Sequence, residues 1–583
     1  MTVFSEAFFH GGWKDKLGNI EVQQMHSYQA LNPTTFLERS GRAFSHKKAV
    51  IHSGGVITYG ELLQRSRRLA QALNRLQVNY GDRVAVLAEN SPQVIEAHFG
   101  IPAIGAILVM LNPWLTNTDL MYALSYCEAK ILVVDADFAD KISPEVRTAL
   151  THLQHVIIFN NAIAQAYPGA IDYEACLAAE DGNWVLDQTV REELDPLAIN
   201  FTSGTTGRPK GVICTYRGAY LNAIGQVLMI GLNKGSKYLW MLPMFHVNGW
   251  GHIWANTAVS AVQVILSHND RGNEAELISM LVKHGITHLC GAPRFVRLLI
   301  ETPVDKQAFK GLTITTGGAA PSPTLIQRLQ ERGVHFVHQY GLNETYGPYV
   351  VCEQQDEWRD LPPDIHATHL ARQGVATIHA GTGLHVVDKE MNDVPHDGQT
   401  LGEVVMAGNT VTLGYYKNPE ATEKAFRDGW FHSGDMAVVH SDGYLEIRDR
   451  IKDLIYVETD YGWENISSLE IERVLCRHEQ VREAAVIGIS VGNKAKNSPV
   501  LMAFVEILDK SLITEDNLLK FCSYELAPYK QPHVINFVDL PKTATGKVRK
   551  DLLVADAAKI AVSFSDLEHP ENSLIRPLAK SKE

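Results

Sequence analysis

Residues 202–211 read TSGTTGRPKG, and this stretch constrains the chain more tightly than any other. Gly204, Gly207 and Gly211 allow tight turns and leave main-chain N–H groups uncovered. Ser203, Thr205 and Thr206 add hydroxyl donors beside Thr202, while Arg208 and Lys210 bring positive charge. Three or four such residues would read as a flexible polar surface loop, but ten in this order read as a loop that wraps a polyphosphate. It is not the common P-loop. Counted from Gly204, the pattern G-x-x-x-x-G-K-[ST] puts Pro209 where its second glycine belongs, and Gly211 follows the lysine.

A chain of 583 residues is too long for one core, so two or three domains are expected. With 45% hydrophobic and 20% charged residues it lies in the ordinary globular range. A net charge of −13 without any basic run argues against a nucleic-acid partner. The seven cysteines are scattered, with no C-x-x-C pair, which fits reduced thiols rather than a disulfide frame or a zinc site. No continuous apolar run marks a secretory signal near Lys14 and Lys16. Residues 101–111, the most apolar stretch, are too short to span a bilayer and contain Pro102 and Gly105, so a buried strand or helix is expected. The last residues, AKSKE, form no peroxisomal address. These readings predict a soluble, cytoplasmic protein with no membrane span.

Periodicity predicts an α/β fold. Residues 49–53 and 56–58 flank Gly54 and Gly55 as a hairpin, Leu62, Leu69, Leu73 and Leu76 mark one helix face, and residues 83–87 and 131–135 are short buried strands. This rhythm implies a large N-terminal domain of stacked α/β layers. Residues 356–373, polar and holding Pro362 and Pro363, read as a surface connection. After Asp449 the character changes to a compact α+β unit, with helices at 468–476 and from Thr514, and strands at 484–489, 501–505 and 533–538. The expected division is 1–449, a boundary at 450–453, a small C-terminal domain at 454–557, and a polar tail at 558–583 that is expected to be disordered.

Five more blocks follow the phosphate loop: LPMFHVNGW (242–250), GGAAP (317–321), QYGLNETYGP (339–348), WFHSGD (430–435) with DRIKD (449–453), and LPKTATGK (540–547). In this order the six resemble the adenylate-forming superfamily of acyl-CoA synthetases, luciferases and peptide-synthetase adenylation domains. More narrowly, they are similar to the short- and medium-chain or aryl acyl-CoA ligases. The resemblance implies an ATP- and magnesium-dependent carboxylate ligase of fatty-acid type metabolism that forms an acyl-adenylate and pyrophosphate, then acylates the thiol of CoA. A carrier-protein phosphopantetheine, an amine or another nucleophile is the alternative acceptor, and a nucleotide-binding protein without turnover is a third reading. A homodimer is left open.

The resemblance also assigns roles. Thr202, Ser203, Gly204, Thr205, Thr206 and Lys210 would grip the β- and γ-phosphates, and Glu344 would hold Mg2+ bridging them. Tyr340 would lie against the adenine, with Gly318, Ala319 and Ala320 on the other side and Gln339, Gly341 and Asn343 in the same block. Asp435 would accept both ribose hydroxyls, satisfied without a counter-ion, and Arg450 would touch ribose or phosphate. His246 would orient the acid beside the adenylate, and the apolar company of Met241, Leu242, Met244, Phe245, Trp250 and Trp254 implies a hydrophobic acid. Lys547 would meet carboxylate and α-phosphate oxygens in the transition state. The small domain would swing as a lid about Lys452, which on its own reads as a solvated surface charge.

Two departures stand out. Asn343 replaces the usual threonine of Y-G-x-T-E; its amide still donates to a phosphate oxygen but reaches further than a hydroxyl. Between Ile455 and Glu464, where relatives have a short Gly-Gly turn, residues 456–463 read YVETDYGW, longer and more acidic, so that like charges would oppose a polyanionic CoA. Residues 493–498 also lack the family's Trp-Gly-Glu turn.

Overall fold

Five-residue runs rich in valine and isoleucine, buried on both faces, build the first sheet, as parallel strands covered by helices require. The computed structural model describes residues 29–159, 167, 169–186, 192–202, 208–266, 273–301, 306–318, 320–459, 462–489, 499–509, 511–543 and 547–565. Its first sheet runs Ile171–Asp172, His155–Phe159, Ile131–Asp135, Arg83–Leu87, Ile107–Leu111, Pro196–Thr202 (β1) and Lys210–Thr215 (β2). Neighbours are parallel except β2, which returns antiparallel beside β1 and pairs Lys210 with Thr202. The apolar segment at 101–111 resolves into a short 3-10 turn, Gly105 at φ 72°, and the fully buried strand Ile107–Leu111.

Helix Tyr216–Met229 (α1) leaves β2 from a Thr215 cap and carries the chain to a nine-stranded sheet. Within that sheet, strands Lys48–His52 and Gly55–Thr58 form the expected hairpin, and helix Tyr59–Arg75 follows with a Thr58/Glu61 capping box and buried Leu62, Leu69 and Leu73. Toward the opposite edge, which Val375–Ala376 closes, His335–Leu342 (β3) pairs antiparallel with Gly347–Val351 (β4). The segment read as a surface connection is more ordered than expected. It contains a 3-10 turn, Asp356–Asp360, and helix Pro363–Leu370, which bury Trp358, Ala367 and Leu370. Pro363 starts that helix rather than breaking it, because the first turn needs no N–H from it.

A third sheet places Trp430–Val439 (β5) against Leu445–Arg450 (β6), with Asp435 directly opposite Arg450. Beyond β6, the residues from Ile455 onward form two hydrophobic clusters that share no member with those of the preceding chain. They combine helix Ser468–Leu475 (α2), strands Val481–Ile489, Val500–Ile507 and Val534–Phe537, and helices Glu515–Glu525 and Lys550–Ser565. The last helix runs past Ala558, so the tail begins later than expected; residues 566–583 lie outside the described residues. The long acidic insertion is a regular ladder rather than a loop. Ile455–Thr459 pairs with Gly462–Ile466 from Ile455 opposite Ile466 to Thr459 opposite Gly462.

Polar contacts join the small unit to β6. The buried Asp449 carboxylate accepts from the Ser468 N–H and hydroxyl, both at 2.6 Å, and the Lys550 ammonium donates to the same hydroxyl at 2.6 Å. Alongside, Arg473 of α2 forms a short ion pair with Glu446 of β6.

Candidate active site

The loop 203–207 lies outside the described residues, so the positions of Ser203, Gly204, Thr205 and Thr206 are not part of the described geometry; its two ends are. Thr202 closes β1 and Lys210 opens β2, side by side. The Lys210 ammonium stands 4.7 Å from the ring centre of Tyr415, whose hydroxyl donates to Glu344 Oε1 at 2.8 Å. Tyr415 reaches this point because residues 414–416 run along β2: Tyr416 N–H donates to Gly211 O at 2.7 Å and Ile213 N–H to Gly414 O at 3.2 Å. Burial holds the Glu344 carboxyl above the usual carboxylate range, against the opposing pull of the Tyr415 hydroxyl, Arg450 and Lys210.

Tyr415 is the site residue that sequence reasoning missed. Its signal was the string GYYKN, a glycine and paired tyrosines in a segment with no helical or strand period.

The β3–β4 turn carries Glu344 in a single 3-10 turn, Asn343–Thr345, pinned by the Thr345 hydroxyl donating to Gly347 O at 2.7 Å. Asn343 begins that turn and its carbonyl accepts from Tyr346 N–H at 3.1 Å. Gly341 admits no side chain, since a Cβ there would lie 1.9 Å from Gly347 O. Next to it on β3, the Tyr340 hydroxyl donates to Asp435 Oδ2 at 2.6 Å, and Arg450 Nε holds Asp435 Oδ1 at 2.9 Å. Asp435 therefore does have a counter-ion, contrary to the expectation from sequence. A carboxylate this deeply buried is costly without one, and strand pairing puts Arg450 opposite it. Gly318 follows strand Thr313–Thr316 in the left-handed region, at φ 80°; Ala320 is described and Ala319 is not.

Lys547 comes from the small unit, on a turn in which Thr543 N–H donates to Lys547 O at 2.8 Å and Lys547 N–H to Thr543 Oγ1 at 3.1 Å. Its side chain is open to solvent yet crowded by protein. Desolvation, reinforced by the Arg450 guanidinium and opposed by Asp435, brings its pKa down to about 8. His246 feels the same charge: burial first, then Lys547, lowers it to about 4, so the imidazole is neutral. Val247, immediately after His246, sits at φ 41°, a strained position for a β-branched residue. Lys452, half exposed two residues beyond Arg450, stands 4.0 Å from the Asp453 carboxylate.

The apolar neighbours of His246 divide. Met241, Met244 and Trp254 are core; the Trp254 indole donates to Tyr346 Oη at 2.9 Å and packs edge-on against Phe99. They do not by themselves define an acyl pocket, because filling the space under the helix at 252–258 needs the same residue types.

Among the described residues no cluster of three or more His, Cys, Asp or Glu side chains could hold a metal alone. A lone buried carboxylate at Glu344 still suits magnesium, which is commonly held by one or two carboxylates together with substrate phosphates. No helix among the described residues is long and apolar enough to cross a membrane.

Residues 37–416 match the AMP-binding enzyme family, and residues 470–547 match the AMP-binding enzyme C-terminal domain. The chain is 37% identical over 555 residues to an acetate–CoA ligase of Humulus lupulus, covering 92% of this chain and 96% of that one. It is also 37% identical over 559 residues to a peroxisomal acetate/butyrate–CoA ligase of Arabidopsis thaliana, with the same coverage of 92% and 96%. Its fold superposes on an anthranilate CoA ligase in complex with anthranoyl-AMP with a TM-score of 0.79 at 24% identity, over 92% of this chain and 99% of that one. The fold and the family match together define an adenylate-forming enzyme. The chain belongs to the AMP-binding enzyme family, with both its large and its C-terminal domain present.

Proposed function

We infer that the protein is an AMP-forming acid–thiol ligase: it joins a small carboxylic acid to ATP, releasing pyrophosphate, and passes the acyl group from the adenylate to the thiol of CoA. One observation carries this reading. Lys547 of the small unit stands close enough to Arg450, Asp435 and His246 for these charges to act on one another, although it lies far from each of them in sequence.

The chemistry follows from charge. Bringing a carboxylate to a triphosphate puts two anions together, and the in-line attack concentrates negative charge on carboxylate and α-phosphate oxygens. Lys547, mostly protonated at neutral pH, is a donor for those oxygens in a place where little water competes. Neutral His246 adds no second positive charge beside it and orients the acid by hydrogen bonding. Lys210 and the ends of the loop at 202 and 210 hold the leaving phosphates. Asp435, already fixed by Tyr340 and Arg450, exchanges part of that bonding for ribose hydroxyls. Glu344 would hold magnesium, which would offset charge on the phosphates. Rotation of the small unit about Lys452 then withdraws Lys547 and opens the path for the thiol.

We assign CoA as acceptor. The paired acidic strands Ile455–Thr459 and Gly462–Ile466 favour one second reading, a carrier-protein phosphopantetheine, because a protein surface can meet that ladder where a free polyanion is repelled. The seven cysteines are all free of disulfides, which fits a reducing setting. ATP–pyrophosphate exchange with a panel of acids tests the reading. Exchange that depends on a carboxylic acid supports it, and nucleotide binding without exchange for any acid refutes it.

A further inference from the structure

Behind the His246 turn lies a group of buried polar side chains that the steps above do not use. On α1, Asn222, Gly225 and Gln226 share one face. Gln339 Nε2 donates to Gln226 Oε1 at 3.0 Å, leaving Gln226 Nε2 and Gln339 Oε1 without a protein partner among the described residues. Asn222 Nδ2 and His379 Nε2 share the Pro348 carbonyl, at 3.5 and 3.2 Å, and leave Asn222 Oδ1 and His379 Nδ1 unpartnered. Asn222 and Gln226 have 0% of their surface exposed and Gln339 1%. Gly225 makes the grouping possible, since a Cβ there would stand 2.0 Å from His379 Nδ1.

The location ties this group to the reacting centre. Side chains alternate along β3, so Tyr340 turns to Asp435 while Gln339 turns to α1. Asn222 abuts Gly251, five residues beyond His246, at the start of the helix His252–Ala258 that packs on α1. An acid whose carboxylate meets Lys547 and His246 would thus point its far end between β3, β4 and α1.

Several orphaned amide and imidazole atoms in one place are costly unless something pairs with them. We propose that Asn222, Gln226, Gln339 and His379 form a polar floor to the acyl site that recognises an uncharged hydrogen-bonding substituent, a hydroxyl or keto group, on the acid. This rests on the carboxylate-activating reading above. Gln226 Nε2 supplies a donor and Gln339 Oε1 and Asn222 Oδ1 supply acceptors, so a hydroxyl is matched in both senses. A second carboxylate is not matched: burial keeps His379 neutral, and no lysine or arginine contributes to these hydrogen bonds.

The test uses the full-length protein in ATP–pyrophosphate exchange with butanoate, pentanoate and hexanoate, each against its terminal hydroxy acid and the corresponding dicarboxylate. A site built to bond a hydroxyl rejects the analogue lacking it, so at one chain length the hydroxy acid should show kcat/KM about 10⁴-fold above the plain acid. Gln226→Met should collapse that ratio to a few-fold by slowing the hydroxy acid while the plain acid continues to react. Preference for the plain acid at every length, or an equal loss for both acids in Gln226→Met, overturns the polar floor alone. Exchange with no acid at all overturns the carboxylate-activating reading beneath it. If Gln226→Met melts early, the wild-type ratio decides by itself.

Discussion

Asp449 is the residue through which the lid's position can be perturbed without touching the reacting atoms. Its buried carboxylate accepts from the Ser468 N–H and hydroxyl, both at 2.6 Å, across the boundary between β6 and α2. The Lys550 ammonium completes the group by donating to the Ser468 hydroxyl at 2.6 Å and pairing with Glu472 at 2.7 Å. In the proposed rotation about Lys452, Asp449 and Ser468 lie on opposite sides of the pivot, so this contact would weight the docked, Lys547-in arrangement. Asp449→Asn keeps the shape and removes the charge. Hydrogen bonds to a charged group contribute about 1.5–3 kcal/mol, so losing the charge should cost the docked lid about 2 kcal/mol. That is about a 30-fold shift in the lid equilibrium. Pyrophosphate exchange should fall by up to that factor, while acylation of CoA from supplied acyl-adenylate should hold steady or accelerate. Equal losses in both half-reactions at unchanged thermal stability would refute the latch.

Three further outcomes follow from the site. Glu344→Gln should raise the magnesium–ATP requirement for exchange roughly 30-fold, about 2 kcal/mol, while AMP binding by calorimetry is nearly unchanged; a matching loss of AMP affinity would make Glu344 structural. The active form of Lys547 is its ammonium and its pKa is lowered to about 8, so exchange should fall about tenfold between one pH unit below and one above that value, and the residual activity of Lys547→Arg should lack this limb. Replacing residues 456–463 with a Ser-Gly-Gly turn should speed CoA acylation and leave pyrophosphate release alone, by removing the negative charges of Glu458 and Asp460; slower acylation would show that the strands help to bind CoA.

Much of the architecture was legible because local periods and tertiary packing agree. Strands Arg83–Leu87 and Ile131–Asp135 have the expected bounds, since short β-branched runs buried on both faces leave little choice of register. The helix Pro363–Leu370 was hidden because its sequence is polar and only Ala367 and Leu370 face inward. The acidic insertion was read as a turn; its pairing spans Ile455 to Ile466, and alternation there is masked by aromatic and acidic residues. At the site, residues within motifs could be named individually, but their partners could not. Tyr415 reaches Glu344 across 71 positions, and Asp449 reaches Ser468 across 19, contacts set by how sheets and domains dock rather than by spacing. The Arg450 counter-ion to Asp435 belongs to the same class, because it depends on the pairing of β5 with β6.

The central claim is that Lys547, carried on the small unit, serves the adenylation step and leaves before the thiol arrives. Rapid-quench measurement of both half-reactions in Lys547→Ala tests it most directly. Adenylate formation should fall about 10²- to 10³-fold, as for loss of one donor to developing charge, while transfer from supplied acyl-adenylate to CoA stays within a few-fold of the unmodified enzyme. Comparable losses in both half-reactions would contradict the account.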